Sequence, residues 1–329
     1  MIGSILASLD ARSLFRVIRD LTVDELSKSR GTSFHVESAW SWRMDTPVRS
    51  GGLQLDSLER FSVAARISEF FELHRTGVED NLLRAHRFED LVTVVRAGLD
   101  LTADAVVFTS GGTVGAARSV RHSGDDLEQE IAFLTKLFGE RKRVIVTVPT
   151  HHIYGFLFGV LLPHRLNRTV VDARWSLLSA YNTPRDGDLI VAVPFVWSKR
   201  SHRFESGVWG VSSTAPLREE TANWLYRFGL SRLIEIYGST ETAGIAHRDR
   251  YNTPPFELFP YWSRDRDDPS RLVRHPDGRR YVVPDVIEWI SDRTLKPLGR
   301  RDAVVQVGGT NVDLERLRRE ILGNVSRIA

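Results

Sequence analysis

Residues 107–118 read Val-Phe-Thr-Ser-Gly-Gly-Thr-Val-Gly-Ala-Ala-Arg, an apolar strand that runs into a loop of glycines and hydroxyl side chains and ends in a cation. A loop of this composition exposes backbone N–H groups and hydroxyls, so phosphate is the first ligand that it suggests. The same composition is also typical of an ordinary turn after a strand. The segments that follow along the chain decide between these two interpretations.

Short apolar runs alternate with helical patterns around and after this loop. The runs that we predict as strands are Ala105–Phe108, Val144–Val148, Thr169–Val171, Leu189–Val193, Val208–Val211 and Leu233–Tyr237. The intervening segments that we predict as helices are Asp125–Phe138 and Leu217–Phe228. This alternation predicts an α/β fold, layered around a largely parallel sheet. After Pro254 the chain becomes rich in loops, and we expect strands at Val286–Ile290 and Val304–Val307 before a final helix at Leu314–Leu322.

The first 99 residues have a different pattern, in which apolar residues recur every three or four positions. One such series is Phe61, Ala64, Ile67 and Phe71, and the residue pair Asp56-Ser57 is suited to cap a helix that begins at Leu58. We therefore expect a small helical bundle ahead of the α/β part.

The composition narrows the class of protein. At 329 residues the chain is long enough for two folding units, and its 42% hydrophobic and 26% charged residues are typical of an ordinary globular protein. The absence of cysteine excludes disulfides, thiolate nucleophiles and cysteine-ligated metals, and it fits a reducing cytoplasm.

Charge and hydropathy also argue against two kinds of partner. The net charge is +3, and basic and acidic residues are interspersed along the chain, which argues against nucleic acid. The N-terminus lacks a basic-then-apolar signal pattern, and the longest apolar stretch, Ile153 to Pro163, spans 11 residues. A membrane helix needs about 20 residues. We therefore expect no membrane span, and a buried helix at this stretch.

Two segments after the glycine-rich loop are suited to a ligand cleft. The stretch 149–155 follows a strand and contains His152, which either faces a ligand or packs at the strand end. The stretch 212–217 contains the small residues Thr214, Ala215 and Pro216, which allow a flat ring to lie against the backbone; it is equally typical of a helix start.

Two further segments contain aromatic and charged side chains. In the segment 236–241 a strand ends at Tyr237, whose ring is suited to stack on a purine. After Gly238 come Thr240, suited to bind a phosphate oxygen, and Glu241, suited to bind a magnesium ion. The alternative is a plain turn without a function. Downstream, Asp285 is suited to a sugar diol and Arg300 to its oxygens, with surface ion pairing as the alternative.

These five segments, in this order, resemble the adenylate-forming superfamily of acyl- and aryl-CoA synthetases, peptide-synthetase adenylation domains and luciferases. The resemblance covers about residues 103–315. It implies the fold of the adenylate-forming core and a set of site residues. The implied phosphate-binding residues are Thr109, Ser110, Gly111, Gly112, Thr113 and Arg118. The implied catalytic residues are His152, Thr240 and Glu241, with Glu241 also holding the metal. The implied adenine- and ribose-binding residues are Thr214, Ala215, Pro216, Tyr237, Gly238, Asp285 and Arg300, and the hinge residue is Asp302.

The resemblance also implies the chemistry. A substrate carboxylate attacks the α-phosphate of ATP, assisted by Mg²⁺, to give an acyl-adenylate and pyrophosphate. The thiol of CoA, or of a phosphopantetheine arm on an acyl carrier protein, then accepts the acyl group. Such chemistry depends on positioning and charge stabilisation rather than on a protein nucleophile.

The sequence departs from the family pattern in several places. The glycine-rich loop has an extra residue around Val114, with Ala117 and Arg118 where proline and lysine are usual, and Val283-Pro284 replaces the usual Thr-Gly before Asp285. The family's C-terminal lid carries a lysine, whereas the 27 residues after Asp302 contain none. We therefore expect the lid to be missing or supplied by a partner chain. The domain division that follows is a helical unit at 1–99, the adenylate-forming core at 100–302, and a hinge with a stub of the lid at 303–329.

The N-terminal unit has a resemblance of its own. Residues 55–59 resemble the phosphopantetheine attachment site of acyl carrier proteins, with Ser57 as the acceptor, and 88–91 resemble the start of their last helix. Gln54 stands where that family has glycine, and Asp-Ser is also a common helix cap. If Ser57 is modified, the protein loads itself; if it is not, the bundle shapes the acyl pocket.

Two functions therefore remain. The first is an ATP-dependent ligase that activates an acyl or aryl carboxylic acid. The second is a non-catalytic subunit that retains an AMP cleft for binding or assembly.

Overall fold

The computed structural model describes residues 4–31, 36–49, 51–110, 118–174, 183–199, 203–251, 254–301, 304–307 and 310–313, without side chains at 36, 37, 110 and after 301. The α-helices are α1 Ala11–Arg30, α2 Ser57–Phe70, α3 Phe88–Leu101, α4 Gly124–Phe138, α5 Ile153–Phe156, α6 Leu162–Leu166, α7 Pro194–Ser198 and α8 Glu219–Arg227. Short 3-10 helices occupy Val36–Ser41, Leu73–Arg75 and Glu79–Arg84, and one π-helical stretch, Leu157–Leu161, joins α5 to α6.

The chain contains sixteen strands in the described ranges. They are β1 Ala105–Ser110, β2 Arg118–Ser123, β3 Arg143–Val146, β4 Thr169–Asp172, β5 Asp188–Ala192, β6 Trp209–Ser212, β7 Arg232–Ser239, β8 Ala243–Asp249, β9 Phe256–Leu258, β10 Trp262–Arg264, β11 Arg271–Arg274, β12 Arg279–Val282, β13 Asp285–Trp289, β14 Thr294–Arg300, β15 Val304–Val307 and β16 Thr310–Asp313.

Contacts divide the chain into two compact units. Unit 1 comprises Met1–Phe108, Val120–Gly139 and Pro149–Val170, and unit 2 comprises Thr109–Ser119, Glu140–Val148 and Val171–Ala329. The N-terminal helices therefore belong to one unit with α4 and with the helices of 153–166.

Local capping interactions begin the helices of unit 1. Asp10 caps α1 by accepting a hydrogen bond from the Ser13 N–H at 2.7 Å. Asp56 and Glu59 form a reciprocal capping box, so α2 begins at Ser57, one residue before the predicted start. The core of unit 1 includes edge-to-face contacts among the aromatic rings of Phe70, Phe108 and Phe156. The apolar stretch 153–163 is helical, as predicted, and mostly buried.

Unit 2 is built on a nine-stranded sheet in the order β13-β14-β9-β8-β7-β6-β5-β3-β4. Strands β3, β5, β6 and β7 pair in parallel, and from β7 onward the pairing is antiparallel. The strand β5 is buried along its whole length, as expected for a parallel strand covered on both faces. Its Ile190 and Ala192 pack with α7 and α8 through Trp197 and Leu225. The predicted α/β class, layered around a mostly parallel sheet, is confirmed.

Each run predicted as a strand forms one, within two residues at either end. The predicted final helix at Leu314–Leu322 lies outside the described residues. No helix in the described ranges is long and apolar enough to cross a membrane.

Candidate functional site

The first part of the candidate site lies at the carboxyl ends of two parallel strands of unit 2, where open α/β sheets bind their ligands. The segment 213–217 follows β6, and Tyr237 lies near the end of the neighbouring β7. Ser213 ties them together, because its hydroxyl donates to the Ile236 carbonyl oxygen at 2.9 Å. The structure thus brings the Thr214–Pro216 segment beside Tyr237.

The backbone of this segment is strained. Thr214 has a φ of +82°, a value that β-branched residues rarely adopt. Thr214 and Pro216 are exposed, whereas Leu217, which follows, is buried. The segment therefore offers an exposed turn anchored at both ends.

Tyr237, Asp285 and Arg300 form the second part. The Tyr237 hydroxyl donates to Asp285 Oδ2 at 2.7 Å, and Asp285 faces Arg300 in the register of β13 and β14. The Arg301 Nε group donates to the carbonyl oxygen of Asp285 at 3.1 Å. Burial first, and then the neighbouring charge of Asp285, raise the pKa of Tyr237, so its hydroxyl stays a hydrogen-bond donor. These residues were predicted as an adenine and ribose site, and the structure gathers them.

The turn after β7 presents the third part. A Cβ at Gly238 would overlap the carbonyl oxygen of Ala243, so the close approach of these two backbones requires glycine. Buried Thr242 holds the turn, since its Oγ1 accepts the Ser239 N–H at 3.1 Å. Thr240 is half-buried and Glu241 is exposed.

The chemistry of this turn fits a hard cation bound together with phosphates. Glu241 supplies an accessible carboxylate, the oxygen ligand that Mg²⁺ prefers. Among the described residues no cluster of three His, Asp or Glu side chains is placed to hold a metal ion. A magnesium ion here would therefore rely on Glu241 and on oxygens of the substrate.

The glycine-rich loop is described only at its ends. Thr109 lies on β1, and its buried Oγ1 has no hydrogen-bond partner among the described residues. Arg118 begins β2 and is exposed. The predicted phosphate-binding Gly111, Gly112 and Thr113 lie outside the described residues, as do the side chain of Ser110 and the whole hinge residue Asp302.

His152 lies in unit 1, at the N-cap of α5, and is exposed. Its ring centroid is 4.3 Å from that of the buried His151, whose Nε2 is 4.0 Å from an Asp24 carboxylate oxygen. Burial, and then the charge of His152, lower the pKa of His151. Partial desolvation of the His152 ring lowers its pKa as well, although the residue is exposed. Both rings are therefore neutral at pH 7.

The loop that carries His152 is fixed from α1. The fully buried Oδ2 of Asp20 accepts both the backbone N–H and the hydroxyl of Thr150, each at 2.7 Å. Sequence reasoning missed Asp20, although an acidic residue on the apolar face of a helix is a sign of a buried interaction.

Glu235 was also missed. It is 3% exposed and interrupts the apolar run Leu233–Tyr237, and such a buried carboxylate is a recognisable signal of a charge network. Its partners are Arg248, with Nε 2.7 Å from Oε2, and the N–H of Leu217, 3.1 Å from Oε1.

Ser57, predicted as a phosphopantetheine acceptor, is exposed in the first turn of α2. Arg60 donates to its Oγ at 3.4 Å. Arg60 also lines a groove of about 500 Å³ together with Arg49, Gly51, Gln54 and Leu55. The cap of α2 is Asp56, so the helix start does not depend on the Ser57 hydroxyl.

Comparisons with known proteins show which chains this one is similar to. No protein-family profile matches the chain. The 4-coumarate–CoA ligase of Halorhodospira halophila is 34% identical over 318 residues, covering 95% of this chain and 80% of the relative. The 4-coumarate–CoA ligase of Cereibacter sphaeroides is 36% identical over 291 residues, covering 85% of this chain and 69% of the relative.

A solved structure shares the fold at much lower identity. The ATP-bound MatB of Rhodopseudomonas palustris superposes with a TM-score of 0.53 at 16% identity, covering 93% of this chain and 76% of that one. The alignment with the Halorhodospira protein extends over nearly the whole chain and is not confined to the α/β part. The chain therefore belongs to the adenylate-forming superfamily, within its acid–thiol ligases.

Proposed function

We propose that this chain activates an aromatic carboxylic acid of the 4-coumarate type with ATP and Mg²⁺, and transfers the acyl group to the thiol of CoA. The observation that supports it most directly is the Tyr237–Asp285–Arg300 cluster beside the Thr214–Pro216 turn. The names of the relatives supply the proposed acid and acceptor.

The nucleoside half of ATP has a proposed place in this cluster. Its adenine lies between the Thr214–Pro216 turn and the ring of Tyr237, next to the backbone of Gly238. Asp285 accepts the ribose hydroxyls, as it now accepts the Tyr237 hydroxyl, and Arg300 binds the neighbouring oxygens. Positioning of this kind converts the encounter of acid and nucleotide into a reaction within one complex.

The phosphate half is assigned to hydroxyls, backbone amides and cations. Thr109, Ser110, Gly111, Gly112, Thr113 and Arg118 hold the phosphates. Thr240 donates to the α-phosphate, and neutral His152 orients the acid carboxylate. When bound at Glu241, Mg²⁺ would neutralise charge on the phosphates. The carboxylate oxygen forms a bond to the α-phosphorus, and the bond from that phosphorus to pyrophosphate breaks. The thiol sulfur then bonds to the acyl carbon, its proton leaves to solvent, and AMP is the leaving group.

The test is exchange of radiolabelled pyrophosphate into ATP, measured with 4-coumarate, benzoate and a short fatty acid. We expect exchange with 4-coumarate, a loss of at least tenfold in Glu241→Gln, and no loss in the exposed control Glu220→Gln. The contrary result is AMP binding, measured by calorimetry, without pyrophosphate exchange, even when candidate partner proteins are added that could supply the lid lysine next to the proposed hinge residue Asp302. It would support a non-catalytic AMP-binding subunit.

A second candidate concerns Ser57. Its exposed hydroxyl beside Arg60 and the groove favours attachment of a phosphopantetheine arm, whose phosphate the arginines Arg49 and Arg60 would neutralise. An acyl group would then pass to the protein itself. Intact mass after incubation with CoA and a phosphopantetheinyl transferase tests this, with Ser57→Ala as the control. An unchanged mass would leave CoA as the acceptor and the helices as part of the ligase body.

A further inference from the structure

Glu235 is a buried carboxylate beside the candidate nucleotide site, and it is not part of the exposed surface of that site. It is 3% exposed and lies on β7, two residues before Tyr237. A buried carboxylate is costly unless each of its oxygens has a partner. Both oxygens of Glu235 have partners, and those of the two oxygens lead to opposite sides of the site.

One oxygen holds the turn after β6. Oε1 accepts the N–H of Leu217 at 3.1 Å, and Ser213 is tied to the Ile236 carbonyl oxygen at 2.9 Å. Thr214, with its φ of +82°, lies between these two ties. A strained residue persists only where its surroundings hold it, and the Leu217 bond is one of the two hydrogen bonds that flank Thr214.

The other oxygen holds the aromatic side. Arg248 lies directly opposite Glu235 in the register of β7 and β8, and its Nε donates to Oε2 at 2.7 Å. Its guanidinium carbon lies 4.2 Å from the ring centroid of Phe256, and that ring is 5.7 Å from the ring of Tyr237. Arg250 adds a second guanidinium, with Nη1 3.3 Å from Oε2.

We infer that Glu235 is a positioning residue for the nucleotide base: one carboxylate fixes both the Thr214 turn and, through Arg248 and Phe256, the ring of Tyr237, and so sets the width of the slot between them. This inference rests on the proposed function, in which that slot receives adenine. The residue does not touch the base. It acts by preventing the two surfaces from relaxing independently.

The experiment compares AMP and ribose 5-phosphate, by calorimetry and by competition, on the full chain of the wild type and of Glu235→Gln. The glutamine keeps an acceptor for the Leu217 N–H but removes the charge that holds Arg248. We expect AMP to bind at least tenfold more weakly, and ribose 5-phosphate to change by less than twofold, because it has no base. In the same variant the KM for ATP should rise by at least the factor found for AMP, while kcat falls by less than threefold.

Two further variants separate positioning from general damage. Asp249→Asn breaks a more exposed ion pair with Arg232 on the same two strands, where Arg232 Nε is 2.6 Å from Asp249 Oδ2, and it should leave AMP affinity within twofold. If Glu235→Gln does not fold, Glu235→Asp is the substitute, because it keeps the charge. It should also weaken AMP binding more than ribose 5-phosphate binding, by a smaller factor.

Three results would overturn the inference: unchanged AMP affinity in a folded Glu235→Gln protein, equal weakening of AMP and ribose 5-phosphate, or an equal loss in Asp249→Asn. Failure of the wild type to bind AMP is a different result. It would remove the proposed function and this inference with it.

Discussion

The hydroxyl of Tyr237 donates a hydrogen bond to Asp285 at 2.7 Å, although three strands separate β7 from β13 in the order of the sheet. The β13–β14 hairpin pairs with β9 only through Thr294 and Leu295, so its other end, with Asp285 and Arg300, is not held in the plane of the sheet by β9. That end reaches the tip of β7. A ribose that binds Asp285 must therefore compete with the Tyr237 hydroxyl for the carboxylate.

Tyr237→Phe should accordingly tighten AMP binding. The ring remains available for stacking, while the competing donor is lost, and a hydrogen bond to a carboxylate is worth enough to give an effect of about threefold or more. The free energy of unfolding without ligand should fall by about 1 kcal/mol, because Asp285 loses its partner. Calorimetric titration and urea unfolding measure the two effects. Weaker AMP binding in this variant would contradict the competition.

Thr109→Val should separate stability from binding. The buried Oγ1 of Thr109 has no partner within the ranges that the structure describes, and valine has the same shape. Removing an unpartnered buried hydroxyl should raise the free energy of unfolding by about 1 kcal/mol, while ATP loses a donor and binds about tenfold more weakly. Thr93→Val, which removes an exposed hydroxyl bonded to the Glu89 carbonyl oxygen, is the control. A Thr109→Val protein that binds ATP like the wild type would remove Thr109 from the phosphate site.

His151 should make stability depend on pH in a defined direction. Burial, and then the charge of His152, lower its pKa below the ordinary value of 6.5, against the opposing effects of Asp24 and Asp20. As the pH falls through 6.5, the unfolded chain takes up a proton that the folded chain does not, so stability is present above 6.5 and declines below it.

The variant His151→Gln isolates this contribution from those of His152, His164 and His247, whose pKa values are also lowered. Between pH 6 and 5 the free energy of unfolding of the wild type should fall more steeply than that of the variant, by about 1.4 kcal/mol per pH unit. Urea unfolding at several pH values measures both slopes. Parallel profiles would show that folded His151 takes up the proton.

Gly238→Ala should damage both the fold and the site. The added Cβ would meet the backbone oxygen of Ala243, which cannot move aside without opening the β7–β8 turn, and the expected cost is about 3 kcal/mol. Gly278→Ala is the matched control, because its Cβ meets open space and only its φ of +71° is unfavourable, at a cost of about 1 kcal/mol. Equal losses in thermal stability would mean that the turn at Gly238 is not tightly closed.

The elements of the fold were largely predictable because their signals are local. Runs of five mostly apolar residues predicted the strands β5 and β7 to within two residues, and the pair Asp56-Ser57 predicted the start of α2 to within one. The apolar series that predicted α2 included Phe61, yet its side chain is 63% exposed. The buried stripe of α2 follows Val63, Ile67 and Phe70, and at 100° per residue Phe61 lies on the far side.

The residues of the candidate site fall into those with a local sequence signal and those without one. Tyr237, Gly238, Asp285 and Arg300 were recognisable because their types and spacing carry the chemistry of a nucleotide site. Glu235 and Asp20 were not, because their importance depends on partners 13 and 130 residues away in the chain, Arg248 and Thr150.

By itself, then, the sequence determined the alternation of strands and helices, the caps and the order of the ligand-binding segments, since each of these depends on a few neighbouring residues. Only the tertiary structure decided that Asp285 meets the Tyr237 hydroxyl, that Thr214 has a positive φ, and that Glu235 bonds both the Leu217 N–H and Arg248. Those features depend on burial and on long-range contacts, and a buried charge acquires its partners only when the strands that carry them have packed together.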